Sequence, residues 1–166
     1  MSDKMKTAVI YYSFEGNTAY AAEQLAAKTG ADLIRIEALK EPPKKGLAKM
    51  LVGGRGALFR EHPPIREIVE DLSGYERVFL ACPVWAGTYP PAVGTFMQNY
   101  PMRKKELYFV GVSGGGKCDK MITDLAMKMA DNTIGAYLSL VSPLKHKDEA
   151  AGKITEYCKE NGLLQE

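Results

Sequence analysis

Residues 7–18 read TAVIYYSFEGNT and contain the first of the strand–helix units on which the predicted fold depends. Its first half, TAVIYY at residues 7–12, is a short run of apolar, β-branched and aromatic residues, typical of a strand buried on both faces of a sheet. A polar turn with one glycine follows, and good helix formers then continue to Thr29, with Gly30 at the C-cap position. The stretch therefore predicts a buried strand that passes through a tight loop directly into a helix.

The same order of strand and helix repeats along the chain. Four further strands are predicted, at residues 32–37, 77–82, 107–112 and 134–141. Helices are predicted at residues 18–29, from Pro90-Pro91 onward, around residues 121–129 and 151–158, and, shorter, around residues 45–51. The strand at 32–37 alternates apolar and polar residues, which favours a position near a sheet edge. Because parallel strands need right-handed crossovers, the pattern predicts an α/β fold with a five-stranded parallel sheet and helices on both faces.

Length and composition predict a single globular domain over residues 1–166. The chain is 46% hydrophobic and 25% charged, an ordinary globular balance. Its longest apolar stretch, around residues 78–87, is far shorter than the ~18 residues that cross a bilayer, so we expect no membrane insertion. Cys82, Cys118 and Cys158 are widely spaced and form no metal-binding pair, which predicts reduced thiols, no metal site and a cytoplasmic location. No nucleic-acid partner is expected.

The charge of the chain is unevenly distributed. The formal net charge is +2, but residues 38–60 contain six basic residues and one acidic residue, so this segment carries +5 and the rest of the chain −3. We call residues 38–60 the basic segment. It is either a solvated loop or a docking surface for an acidic partner.

Three loops that follow predicted strands carry the candidate site. In an open parallel sheet, ligands bind beyond the carboxyl ends of the strands. The first loop supplies hydroxyls, an amide and helix-terminal N–H groups that suit a phosphate, although it is also compatible with a plain N-cap turn. The second holds the only tryptophan, which is either a stacking platform for a planar ring or a packing anchor. The third is rich in glycine and offers backbone N–H groups, or is a simple connector. The loop residues are Ser13, Phe14, Glu15, Gly16, Asn17 and Thr18; Pro83, Val84, Trp85, Ala86, Gly87 and Tyr89; and Ser113, Gly114, Gly115, Gly116, Lys117 and Cys118.

In these three loops, the chain resembles the flavodoxin family of FMN proteins. YYSFEGNT resembles the family's phosphate-binding loop, PVWAGTYP its loop beside the isoalloxazine ring, and VSGGGKC its third flavin loop. The likeness extends over nearly the whole chain and is nearest to small flavodoxin-like proteins of anaerobic bacteria. It implies a three-layer sandwich with strand order 2-1-3-4-5.

The resemblance also implies roles for the loops. Residues 13–18 would hold the FMN phosphate, Trp85 or Tyr89 would stack on the ring, and amides of residues 113–118 would face its pyrimidine edge. Two features depart from better-known flavodoxins: Glu15 stands where they have a hydroxyl residue, and the net charge is near neutral rather than strongly acidic.

Three functions are compatible with these residues. The first is an electron carrier that shuttles electrons between redox partner proteins on bound FMN, which requires no catalytic acid or base from the chain. The second is an FMN-dependent NAD(P)H:quinone-type oxidoreductase whose basic segment receives nucleotide phosphates. The third is a scaffold that has lost FMN. A phosphate loop of NTPases is disfavoured, because Cys118 stands where that motif needs a hydroxyl for Mg²⁺.

Overall fold

The computed structural model describes residues 4–42 and 62–166, and within these ranges strands and helices alternate. The strands are β1 Thr7–Tyr11, β2 Asp32–Arg35, β3 Arg77–Pro83, β4 Glu106–Ser113, β5 Thr133–Ile134 and β6 Leu138–Val141. The α-helices are α1 Asn17–Thr29, α2 Pro91–Asn99, α3 Asp119–Lys128 and α4 Lys147–Glu160, with a short 3₁₀ turn at Leu72–Gly74. The predicted helix around residues 45–51 and most of the basic segment lie outside the described residues.

The strands form one parallel sheet of order β2-β1-β3-β4-β5, and β6 pairs with β4 beyond β5. β1 lies between β2 and β3, so that Val9 is paired with Leu33 on one side and with Phe79 on the other. The predicted order 2-1-3-4-5 is therefore confirmed, with β5 and β6 together filling the fifth position. The strand expected near an edge, β2, is the edge strand.

Helices cover both faces of the sheet. Alternate residues of each buried strand point to opposite sides, so both faces carry apolar side chains that pack against helices. On one face Ile10 packs in a cluster with Phe96 of α2 and Leu125 of α3. On the other, Val9 packs in a cluster with Leu25 of α1, and Ile154 of α4 belongs to the same cluster. The three-layer sandwich is confirmed.

The predicted continuous strand at residues 134–141 is wrong in one respect, because residues 135–137 interrupt it between β5 and β6. The Tyr108 ring of β4 lies against Gly135, where a Cβ would be 2.3 Å from Cε1 of the ring. The Tyr157 hydroxyl of α4 donates a hydrogen bond to the Ala136 carbonyl over 2.6 Å. The Tyr108 ring thus fills the space beside Gly135, and the Tyr157 hydroxyl binds the Ala136 carbonyl, which a regular strand would pair with a neighbouring strand.

All three cysteines are free and buried. Burial raises the pKa of the Cys82 thiol, and burial also raises the pKa of Cys158 to about 11. Both thiols are therefore protonated at neutral pH. In the described ranges, no helix combines the length and apolar character that a bilayer crossing requires.

Candidate functional site

A cleft of about 700 Å³ opens at the carboxyl edge of the sheet, where the loops after β1, β3, β4 and β6 meet. This is the edge at which ligands bind in open parallel sheets. The residues that line it are Ser13, Phe14, Glu15, Asn17, Thr18, Pro83, Val84, Trp85, Val112, Ser113, Gly114, Ser142, Leu144 and Lys145. Three of the four contributing loops are those chosen from the sequence.

The loop between β1 and α1 has the geometry of an anion site. The Ser13 hydroxyl accepts a hydrogen bond from the Gly16 N–H over 3.2 Å, and Gly16 has a φ of 97°, a left-handed conformation that favours glycine. The Arg35 guanidinium donates to the Ser13 carbonyl over 3.2 Å, which holds the loop against β2. α1 begins at Asn17 and has no acidic residue in its first turn. Its first N–H groups, which lack partners within the helix, therefore favour an anion.

The loop after β3 is a tight hairpin that carries Trp85 to the cleft. Trp85 and Thr88 exchange two backbone hydrogen bonds of 2.8 and 2.9 Å, and Ala86 and Gly87 between them have φ values of 48° and 79°. Two positive φ values are those of a type I′ turn, which glycine favours. The Thr88 hydroxyl donates to Asp124 of α3 over 2.7 Å. The hairpin is therefore attached to a helix of the framework.

Trp85 is held by two other aromatic rings. The Phe14 ring lies 5.4 Å from it at an interplanar angle of 87°, and the Tyr12 ring lies 5.7 Å from it at 82°, so both contacts are edge-to-face. The Tyr12 hydroxyl in turn donates to Glu41 over 2.6 Å. Burial and this bond to Glu41 raise the pKa of Tyr12, which keeps the phenol protonated. The indole is thus both a packing element and a wall of the cleft.

The loop after β4 contributes fewer residues than the sequence predicted. Ser113 and Gly114 line the cleft, and the Ser113 hydroxyl donates to the Gly116 carbonyl over 2.9 Å. Gly115, Gly116 and Lys117 are exposed and do not line the cleft; Cys118 is 2% exposed and lies beneath the loop. It packs on Gly111 of β4, where a Cβ would be 2.7 Å from the Cys118 Cβ.

Tyr89 also lies apart from the cleft. It is buried in the core cluster beside α2, where a Cβ on Gly94 would be 3.4 Å from its ring. Of the two aromatic residues expected to stack on a ligand ring, Trp85 therefore lines the cleft and Tyr89 does not. Gly16, Ala86 and Gly87 shape the two turns without lining the cleft.

Sequence reasoning missed Val112 and the loop after β6. In that loop Ser142, Leu144 and Lys145 line the cleft. The Leu144 N–H donates to the Asn17 side-chain oxygen over 3.1 Å, which joins the loop to the start of α1. The signal that could have found it is positional, because the loop follows the fifth predicted strand at the same edge as the others.

Residues 6–141 match a protein-family model described as flavodoxin. No curated protein matches the sequence. Solved structures match almost the whole chain, and we report three that are similar to it. A candidate flavoprotein of Bacteroides eggerthii is 23% identical with a TM-score of 0.77, over 96% of this chain and 99% of that one.

The second similar structure is a flavoprotein of Lactobacillus acidophilus in complex with FMN, 16% identical with a TM-score of 0.70, over 87% of this chain and 98% of that one. The third is a two-electron reduced flavodoxin of Megasphaera elsdenii, 14% identical with a TM-score of 0.60, over 93% of this chain and 99% of that one. At these identities the structural likeness shows a shared fold.

Proposed function

The chain belongs to the flavodoxin family, and on that premise we propose that it binds FMN in the cleft and carries electrons between redox partners. The observation that supports this most is the pairing, within one cleft, of an anion-binding helix start at Asn17 with an aromatic wall at Trp85. FMN combines these two chemistries in one molecule, since it has a phosphate at one end and a planar ring system at the other.

The residues present fit FMN. The cleft volume of about 700 Å³ is that of a typical cofactor site. The Ser13 hydroxyl and the first N–H groups of α1 would hold the phosphate within the loop of residues 13–18, whose Gly16 N–H is bonded to Ser13. Trp85 would contact the ring, and backbone groups at Ser113 and Gly114 would meet its polar edge. Among the described residues, no heavy atom lies within 4 Å of the position of a Cβ at Gly114, so its backbone can be approached closely. Bound FMN supplies the redox chemistry.

The lining of the cleft favours a carrier over an enzyme that moves protons. Among the lining residues that the structure describes, Glu15 and Lys145 are the ionisable ones. Glu15 lies in the loop before α1, and Lys145 lies in the loop bonded to Asn17, so both belong to loops that meet at the start of α1, where we propose that the phosphate binds. The chain's contribution is then to orient the ring through Trp85 and to bind the phosphate. We place this activity in the cytoplasm, with an acidic partner at the basic segment.

An absorption spectrum of the purified protein, followed by titration with FMN and stepwise anaerobic reduction, tests the proposal. We expect one FMN per chain, reversible reduction, and oxidation of NADH or NADPH slower than one turnover per second. A protein that is colourless and gains no flavin absorbance with added FMN would contradict FMN binding. Rapid NAD(P)H-dependent reduction of a quinone would instead support the oxidoreductase alternative.

A further inference from the structure

The loop after β6 is fixed in an uncommon backbone conformation beside the cleft. Ser142 has a φ of 41°, which is left-handed and unfavourable for a residue with a side chain. Its N–H donates to the Ser113 carbonyl over 2.9 Å, and its carbonyl accepts from the Lys145 N–H over 2.9 Å. The chain therefore turns sharply at the end of the sheet, and this turn brings Lys145 to the lining of the cleft.

A second set of contacts joins this loop to the proposed phosphate site. The Leu144 N–H donates to the Asn17 side chain over 3.1 Å, at the first residue of α1. The Leu144 Cδ1 lies 3.4 Å from the position that a Cβ would have at Gly16. The loop thus packs on the turn that begins α1, and the neighbouring Lys145 lines the same cleft.

Lys145 is an exposed residue of this loop. Among the described residues, no carboxylate lies within ion-pair distance of its ammonium group. The nearby Glu149 pairs with Lys153 over 2.8 Å, and Lys147 lies over the Tyr20 ring at 5.7 Å rather than in the cleft. Of the basic residues around α4, Lys145 is the one that lines the cleft.

We propose that Lys145 binds the phosphate of FMN, adding an ammonium group to a socket otherwise built from hydroxyls and backbone N–H groups. The inference rests on the proposed function, because it assumes that FMN occupies the cleft. It also offsets the negative charge of Glu15, which lines the same cleft, beside a phosphate that carries about −1.5 to −2 charges at pH 7. A lysine at that end of the cleft supplies the opposite charge.

The test compares FMN with riboflavin, which has the same ring but no phosphate. In the wild-type protein, in Lys145→Gln and in Lys145→Arg, dissociation constants for both flavins are measured by fluorescence titration at low and high salt. We expect Lys145→Gln to weaken FMN binding about tenfold at low salt, because one contact with a doubly charged group is lost at a partly solvated site. Riboflavin affinity should not change, Lys145→Arg should bind FMN nearly as well as wild type, and the salt dependence of FMN binding should be smaller in Lys145→Gln.

Lys147→Gln is the matched control. Lys147 is two residues from Lys145 and carries the same charge, but its side chain lies outside the cleft. Equal losses of FMN affinity in the two glutamine variants would overturn the proposal, because they would indicate only the general field of the loop. Equal losses for FMN and riboflavin in Lys145→Gln would also overturn it. If wild type and Lys145→Gln bind FMN equally well, Lys145 has no such role while the proposed function stands. If wild type binds neither flavin, the proposed function fails and the inference with it. Competition by inorganic phosphate that weakens in Lys145→Gln would support the site independently of the flavin ring.

Discussion

Replacing Gly135 with alanine should destabilise the protein through a single contact. A Cβ at this position would lie 2.3 Å from Cε1, 2.7 Å from Cδ1 and 2.8 Å from Cζ of the Tyr108 ring. Carbon atoms pack at about 3.5–4.0 Å, so the overlap exceeds an ångström. The backbone of Gly135 is held as well, since its N–H donates to the Leu107 carbonyl over 2.7 Å. Either the ring or the strand must therefore move.

The Tyr108 ring cannot move without breaking other contacts. It stacks on Phe79 at a centroid distance of 5.1 Å and an angle of 26°, and it meets Tyr157 edge-on at 6.5 Å. Its hydroxyl donates to Glu106, and the side chain is 7% exposed. Overpacking of a well-filled core costs about 1–3 kcal/mol, and we expect the upper part of that range here, about 2–3 kcal/mol. For a chain of this size, that corresponds to a melting temperature lower by about 4–12 °C.

The assay is urea and thermal unfolding of Gly135→Ala beside two other variants. Gly152→Ala is the matched control, because this exposed glycine lies within α4 and no heavy atom of residues 4–42 or 62–166 lies within 4 Å of its Cβ position. It should gain about 0.5–1 kcal/mol from the lower entropy of the unfolded chain. Tyr108→Leu in both backgrounds completes a double-mutant cycle, and the cost of Gly135→Ala should fall by at least about 1 kcal/mol when the ring is absent. A Gly135→Ala protein within 0.5 kcal/mol of wild type, or an equal cost with and without the ring, would refute the reasoning.

Three further predictions concern single side chains. Burial and the 2.7 Å hydrogen bond to Asp32 raise the pKa of Tyr75 to about 12, so the folded state keeps a proton that the unfolded state loses above its pKa of about 10. The resulting stabilisation is complete below pH 10 and is lost between pH 10 and 12. In urea titrations across that window, the free energy of unfolding of Tyr75→Phe should therefore fall less steeply with pH than that of wild type. Glu15→Gln should strengthen FMN binding several-fold and leave riboflavin binding unchanged, because it removes a carboxylate from the proposed phosphate end. Unchanged FMN affinity would contradict this prediction and show that solvent screens the carboxylate from the phosphate. Trp85→Leu should weaken FMN and riboflavin binding by the same factor, about tenfold, since it removes a contact with the ring that both flavins share. A loss confined to FMN in fluorescence titrations would contradict the proposed contact between Trp85 and the ring.

The fold could be predicted from the sequence because its buried strands are nearly all apolar. β1, β3 and β4 are covered by helices on both faces, so their apolar runs are conspicuous and the polar segments between them mark the crossovers. The predicted first and last residues of these strands differ from the observed ones by at most one residue. The interruption between β5 and β6 could not be predicted in the same way. The residues that contact it, Tyr108 and Tyr157, come from elsewhere in the chain.

The three loops chosen from the sequence all contribute to one cleft, but its lining differs from the chosen residues at several positions. The first two loops carry local signals, a glycine before a helix and a tight turn at Ala86-Gly87, and these signals mark where the chain reverses. Tyr89 follows Trp85 by four residues but lies in the core, because the hairpin turns the chain back before α2 begins. Cys118 lies beneath its loop because Gly111 has no side chain and α3 can approach β4. Such placements depend on packing that residue spacing does not contain.

The loop after β6 shows why a lysine could not be assigned to the site from the sequence. Lysine is common on protein surfaces, and the sequence around Lys145 contains no glycine pattern or helix cap that would mark a ligand. Its position at the cleft depends on the Asn17–Leu144 hydrogen bond, which joins residues 127 positions apart, and on the left-handed turn at Ser142. Both exist only when α1 and β6 are already packed on the sheet. Which charged side chains lie at the proposed anion site therefore depends on how the loops pack together at the carboxyl edge of the sheet. A count of basic residues along the chain identifies the basic segment instead.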